Sequence, residues 1–245
     1  MSKIIAHRGF SGKYPENTML AFTKSLEYGA DGVELDIQLT KDGEVVICHD
    51  EIINRTSNGE GFIKDHTLAE LKEFIFDNQM ENLDDATEDN LKIPTLSEFL
   101  DWFKSTEMMV NIEFKTSIIP YPGIVEKTVM LVKERGLQER VIFSSFNHDT
   151  IKKVKALDDT LKCGFLAVAN LLEPGRYCSK YNVEYYHPVY VSLQLTPEII
   201  ENCKQYGIGI NTYTVNEKAD IQKFLELNID GIITNEVELA LELAK

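Results

Sequence analysis

From residue 3 to residue 234, short apolar runs rich in β-branched residues alternate with stretches of helical period, the mark of βα units feeding a mostly parallel sheet. Strands are expected over Lys3–Ala6, Gly32–Gln38, Val45–Cys48, Met109–Phe114, Val141–Ser144, Cys163–Leu166, Glu184–His187, Ile208–Tyr213 and Gly231–Thr234. Helix signals fill the gaps. Pro15 opens a segment in which Met19, Phe22 and Leu26 share a face, and Gly29 closes it. Thr67 with Glu70, and Thr95 with Glu98, have the spacing of a capping box. Thr196-Pro197 and Asn216 read as further starts, Gly136 and Gly207 as stops.

One connection breaks the rhythm. Between Gln38 and Glu44 there is no room for the helical crossover that neighbouring parallel strands need, and Asp42-Gly43 is a strong turn pair. This predicts a hairpin that brings His49 level with Glu34. Eight strands then remain in parallel order, an α/β arrangement that favours a closed (β/α)8 TIM barrel over an open sheet. The expected organisation is one domain over residues 1–245, with a small inserted subdomain, residues 50–107, after the third strand. That stretch has two helical signals and no convincing strand. Within it, Asp77 to Asn90 carries six acids and no base, which reads as a solvated loop because the residue order of a calcium-binding loop is absent.

Composition excludes several classes. With 43% hydrophobic and 27% charged residues the chain is neither a disordered polymer nor a membrane protein. Its 40 acids against 25 Lys and Arg leave a net charge of −15, which argues against nucleic acid as a partner. No apolar run approaches the ~18 residues of a spanning helix, and His7 and Arg8 interrupt the N-terminal segment before a signal-peptide core can form. A cytoplasmic location without membrane insertion is expected; the oligomeric state is left open. Cys48, Cys163, Cys178 and Cys203 lack metal-ligand spacing and read as buried free thiols.

Barrels place their chemistry at the C-terminal ends of strands, and four strands here end in polar side chains. These ends are Ala6-His7-Arg8-Gly9, Glu34-Leu35-Asp36, Cys48-His49-Asp50 and Glu113-Phe114-Lys115. Residues two apart share a strand face, so Glu34 pairs with Asp36 and Glu113 with Lys115. Any one pair alone is as readily a surface pair on an exposed strand. Three carboxylates converging in a barrel mouth instead require a cation, and an all-oxygen set suits a hard ion, Mg²⁺ or Ca²⁺. His7 and His49 are candidates for proton transfer. Arg8 and Lys115 add positive charge to an acidic protein, which points to an anionic group such as phosphate.

Taken in order, A-H-R-G-F at 6–10, P-E-N-T at 15–18, G-A-D-G-V-E-L-D-I-Q-L-T-K-D-G at 29–43 and V-I-C-H-D at 46–50 resemble the glycerophosphodiester phosphodiesterase family. N-I-E-F-K at 111–115, S-S-F at 144–146, T-Y-T-V-N at 212–216 and G-I-I-T-N at 231–235 continue the resemblance over essentially the whole chain. It implies a TIM barrel with an inserted subdomain and a metal-dependent enzyme that cleaves glycerophosphodiesters, such as glycerophosphocholine or glycerophosphoethanolamine, to sn-glycerol 3-phosphate and an alcohol. Position by position it implies Glu34, Asp36 and Glu113 as ligands of one divalent cation, His7 and His49 as the acid/base pair, and Arg8 and Lys115 as phosphate contacts. Glu16 and Asn17 either order the loop beside the metal or cap a helix.

Two positions depart from the family pattern. Tyr213 stands where similar proteins have Trp and keeps an aromatic wall for the glycerol or alcohol moiety, and Asn235 stands where they have Asp and removes a charge near the mouth. Two other activities fit the same residues. One is a lysophospholipase D-like enzyme, with Phe10, Ile118, Ile119 and Tyr121 lining an acyl groove. The other is a phosphodiester-binding module without turnover.

Overall fold

The computed structural model describes residues 1–245. Its strands are β1 (Lys3–Ala6), β2 (Gly32–Leu39), β3 (Val45–Ile47), β4 (Met109–Phe114), β5 (Val141–Ser145), β6 (Cys163–Ala167), β7 (Tyr185–Pro188), β8 (Gly209–Thr212) and β9 (Gly231–Thr234). All except β3 run parallel in the order β1-β2-β4-β5-β6-β7-β8-β9, and β9 pairs back onto β1 with Ala6 opposite Thr234. The eight parallel strands therefore form a closed barrel, and β3 is added antiparallel to the C-terminal end of β2. The nine expected strands all form. Glu184 falls just outside β7, where its carboxylate accepts hydrogen bonds from Lys155 Nζ (2.6 Å) and the Cys163 N–H (2.8 Å).

The hairpin forms, but its register differs by one residue from the expectation. Thr40 and Glu44 close a three-residue loop in which Gly43 has φ +81°, and Ile37 then lies opposite Ile47. Extended further, this register would set His49 beside Leu35 and not Glu34. Asn216 is likewise no helix cap, because the following helix, Lys218–Glu226, starts after Glu217. The Asn216 side chain accepts instead from the Asn235 N–H at 2.9 Å.

Along β2 the alternation of faces separates packing from chemistry. Val33, Leu35 and Ile37 join the main hydrophobic cluster, while Glu34, Asp36 and Gln38 take the other face. Phe22 and Phe99 meet edge-to-face in that cluster at 4.9 Å, a contact that adds about 1 kcal/mol beyond its buried area. The helix Met19–Tyr28 starts at Thr18, which accepts from the Ala21 N–H, and ends at Gly29 in a left-handed conformation.

The stretch between β3 and β4 has a small core of its own, in which Ile53, Ile63, Leu71, Phe76 and Ile93 pack on Val46 and Cys48. Both expected capping boxes are present, at Leu68–Leu71 and Leu96–Phe103. The second of these helices sends Leu96, Phe99, Leu100 and Phe103 into the main cluster, so the end of the stretch serves the barrel. The acidic run is largely exposed, and Asp85 pairs with Lys24 of the first helix. All four cysteines are buried and free. No helix is long and apolar enough to cross a membrane.

Candidate active site

Glu34 and Asp36 on β2 and Glu113 on β4 each bring one carboxylate oxygen to a common point, with all three oxygens within 4.8 Å of one another. Parallel pairing sets Asp36 directly beside Glu113. The cluster is closed over by the loop after β1. The Arg8 N–H donates to Glu34 Oε2 at 2.9 Å, with Arg8 itself at φ 56° and Gly9 at φ 79°. A Cβ on Gly9 would stand 2.7 Å from that of Ala21, so only glycine lets the loop lie this close to the helix. Asn17, also left-handed at φ 57°, donates through Nδ2 to Asp36 Oδ2 at 2.9 Å, and its N–H donates to the Arg8 carbonyl at 2.8 Å. Non-glycine residues held in this conformation store about 1 kcal/mol or more, and such positions gather at functional sites. Asn17 thus braces the cluster, while Thr18 caps the helix.

Two cations share these carboxylates. Lys115 Nζ donates to Glu113 Oε1 at 3.0 Å and lies 3.7 Å from Asp36 Oδ1, and Arg8 Nε lies 3.5 Å from Asp36 Oδ2. Burial, together with the charges of Asp36 and Glu113, pushes the Glu34 carboxyl well above its ordinary range. Burial and Asp36 push Glu113 up as well. At Asp36 burial works the same way but is outweighed by His49, Lys115 and Arg8, which hold it down to about 2. The donor set fits a hard divalent cation. Such an ion would stabilise all three carboxylates in ionised form, and it would give a partner to Asp36 Oδ1, which is buried without a hydrogen bond.

Two histidines adjoin the cluster. His7 Nε2 is 3.9 Å from Glu34 Oε2, and its Nδ1 donates to Asn235 Oδ1 at 2.7 Å. Because an amide oxygen only accepts, Nδ1 carries the hydrogen and Nε2 keeps its lone pair toward the site. Burial, reinforced by Arg8, lowers the His7 pKa to about 4, so the ring is neutral near pH 7. His49 instead directs Nδ1 at a carboxylate, Asp50 Oδ1, at 2.6 Å. Gln38 holds this loop from below, its Nε2 lying 2.9, 3.1 and 2.8 Å from the carbonyl oxygens of Cys48, His49 and Asp50.

The cleft over the cluster is lined by His7, Glu34, Asn111, Glu113, Leu166 and Tyr213. Tyr213 turns its hydroxyl away to the Ala167 carbonyl at 3.0 Å and offers its ring as a wall, backed edge-on by Phe146. A cavity of about 540 Å³ opens elsewhere, between Gly207–Ile210 and Leu227–Asp230 at the starts of β8 and β9, and gathers no comparable set of groups. The acyl groove considered above does not form. Phe10 and Tyr121 are buried in the main cluster, Tyr121 bonding to Gln38 Oε1 at 2.7 Å, and Ile118 alone of the four is exposed.

Residues 7–239 match the model of the glycerophosphoryl diester phosphodiesterase family. The chain belongs to that family. A glycerophosphodiester phosphodiesterase of Caldanaerobacter subterraneus subsp. tengcongensis is 42% identical over 99% of this chain and 97% of its own. Among solved structures, the glycerophosphodiester phosphodiesterase of Thermotoga maritima superposes with a TM-score of 0.79 at 31% identity, covering 99% of this chain and 98% of that one. A phosphodiesterase of Oleispira antarctica, in complex with the product sn-glycerol-3-phosphate, superposes with a TM-score of 0.82 at 26% identity over 99% and 96% of the two chains.

In this phosphodiesterase family member the structure brings seven of the residues singled out in the sequence, His7, Arg8, Glu34, Asp36, His49, Glu113 and Lys115, to one mouth, with Tyr213 as its wall. Sequence reasoning missed Gln38, Asp50 and Asn111. Asp50 carried a signal, as the neighbour of a candidate histidine. Asn111 carried one too, two residues before Glu113 on the same strand face. Asn235 was noticed only as a lost charge, whereas it is the partner of His7.

Proposed function

We propose that the chain hydrolyses glycerophosphodiesters to sn-glycerol 3-phosphate and an alcohol. In this reading Glu34, Asp36 and Glu113 hold one divalent cation, Mg²⁺ or Ca²⁺. The observation that carries the reading is the convergence of three buried carboxylates, two cationic side chains and two oriented histidines at one barrel mouth. Family membership and the product complex of the Oleispira antarctica relative support the substrate class.

A bound divalent cation supplies a Lewis acid for a phosphate oxygen. Arg8 and Lys115 add charge-assisted donors that favour the more negative transition state over the diester ground state. Hydrolysis must take a proton from the attacking oxygen and give one to the departing alkoxide, and the two histidines have partners suited to different tasks. His7, neutral and tied to an amide, accepts at Nε2. A ring that gives up a proton must carry one on each nitrogen, and the Asp50 carboxylate 2.6 Å from His49 Nδ1 is a partner suited to that task, which assigns His49 as the donor. The Tyr213 ring packs on the carbon skeleton of the substrate, and its hydroxyl, already bonded to Ala167, is not available to it.

The direct test is release of sn-glycerol 3-phosphate from a panel of glycerophosphodiesters, first in EDTA and then with Mg²⁺ or Ca²⁺ restored. Cation-dependent release is expected. No release with either ion, on any headgroup, would remove the proposal.

A further inference from the structure

Between the two halves of the site lies a side chain that the reaction scheme above leaves out. Arg55 sits at the end of the first 3-10 turn after β3, Ile53–Arg55, in the segment with its own small core. Its guanidinium serves two carboxylates at once. Nε donates to Asp50 Oδ2 at 2.7 Å, while Nη1 and Nη2 donate to Glu16 Oε2 and Oε1 at 2.9 and 2.7 Å. Both carboxylates are also committed to the site. Asp50 Oδ1 faces His49 Nδ1 at 2.6 Å, and Glu16 Oε1 accepts from Arg8 Nη1 at 2.9 Å. Arg55 is therefore the middle of an unbroken chain of hydrogen bonds running His49–Asp50–Arg55–Glu16–Arg8.

We propose that Arg55 is a positioning residue, which fixes the proton-transferring imidazole of His49 through Asp50 and the phosphate-facing guanidinium of Arg8 through Glu16. The inference rests on the phosphodiesterase reading for the tasks of His49 and Arg8, while the geometry of the chain stands by itself. Asp50 adjoins His49 in sequence, but its carboxylate can rotate unless its second oxygen is held. Arg55 holds it. A planar fork suits this task and an ammonium does not, because Lys at this position cannot reach two carboxylates from opposite sides with fixed angles. The half-exposed guanidinium makes the pairs weak contributors to stability, since solvent screens them. Orientation is then what they chiefly supply. A consequence is that the segment carrying Arg55 must be seated on the barrel before His49 and Arg8 take up their working positions.

The test compares wild type with Arg55→Ala and Arg55→Lys in two ways: kcat and KM on glycerophosphocholine with divalent cation, and the imidazole N–H resonances of ¹⁵N-histidine-labelled protein. In Arg55→Ala the expected outcome is a drop in kcat of about 10- to 100-fold, the scale of losing a partner that orients a catalytic ligand. KM should rise severalfold, the melting temperature should stay close to that of wild type, and the slowly exchanging Nδ1–H signal of His49 should vanish. Added guanidinium should restore part of kcat, and Arg55→Lys should fall between the two. If the alanine variant does not fold, the lysine variant decides alone in the same direction. An unchanged His49 signal overturns the inference, as does a kcat within twofold of wild type. If wild type itself releases no product, the phosphodiesterase reading fails and the His49 signal alone still decides whether Arg55 positions the ring.

Discussion

The Nδ1–H of His7 donates to Oδ1 of Asn235 across 2.7 Å, so the ring at the end of the first strand is oriented by the residue that follows the last. Ser11 Oγ donates to the same oxygen at 3.0 Å and helps to fix the amide. Replacing Asn235 by Leu should leave the fold intact and release the imidazole to other rotamers and tautomers. The expected cost is on the order of 10²-fold in kcat, with KM little changed, while Asn235→Asp should keep most of the activity because it still accepts from Nδ1. Equal losses in both variants would show that hydrogen-bond acceptance at this position is not what matters.

The unlike partners of the two histidines make their tasks separable by the choice of leaving group. With an alkyl diester such as glycerophosphocholine the alkoxide must be protonated as it leaves, so His49→Ala should cost on the order of 10³-fold. With a p-nitrophenyl ester of glycerol phosphate the leaving group departs without a proton, and the same variant should lose about tenfold or less. His7→Ala should lose similar factors on both substrates. The reverse pattern would exchange the two roles.

Cation binding at the acidic cluster should be visible in stability, without any substrate. A ligand at 100 times its Kd adds ~2.7 kcal/mol, which for a chain of this size raises the melting temperature by roughly 5–10 °C. Mg²⁺ or Ca²⁺ should raise the melting temperature of wild type, and EDTA should reverse it. Glu34→Gln and Asp36→Asn should melt at the same temperature with and without the ion. A shift that persists in both variants would place the cation elsewhere.

Acid sensitivity should have a contribution from His187, a buried ring on β7 that lies 3.1 Å from the Asn211 amide, with Nδ1 unpaired. Burial lowers its pKa from the ordinary 6.5 to about 3. The unfolded chain therefore binds the extra proton, and stability is complete above about pH 6.5 and declines as pH falls toward 3. Between pH 7 and pH 5 the loss from this residue alone is about 2 kcal/mol. Urea titrations of wild type and His187→Gln should show a shallower dependence on pH in the variant over that window. Parallel slopes would mean that the ring is not a source of acid instability.

The fold was legible because parallel strands are buried on both faces and read as nearly continuous apolar runs, such as Val141–Phe143 or Gly231–Ile233. The acidic cluster was legible for the opposite reason, since Glu34, Asp36 and Glu113 interrupt such runs. What escaped were relations between distant segments. Arg55 and Glu16 are 39 positions apart, and His7 and Asn235 are 228. Neither pairing can be read until the loops at the barrel mouth are set side by side. The hairpin register escaped because the turn closes on Thr40 and Glu44 around three residues, a choice between loop types that Asp42-Gly43 alone does not make.

Because β9 closes the barrel against β1 and Asn235 follows it directly, the order of synthesis bears on when the protein can work. A growing polypeptide has all three carboxylates and both histidines long before its final strand is made. Until that strand arrives His7 lacks its partner and β1 lacks a neighbour on one side. The site is thus incomplete in the nascent chain, and the ninth strand both closes the barrel and brings the first strand's imidazole its hydrogen-bond partner.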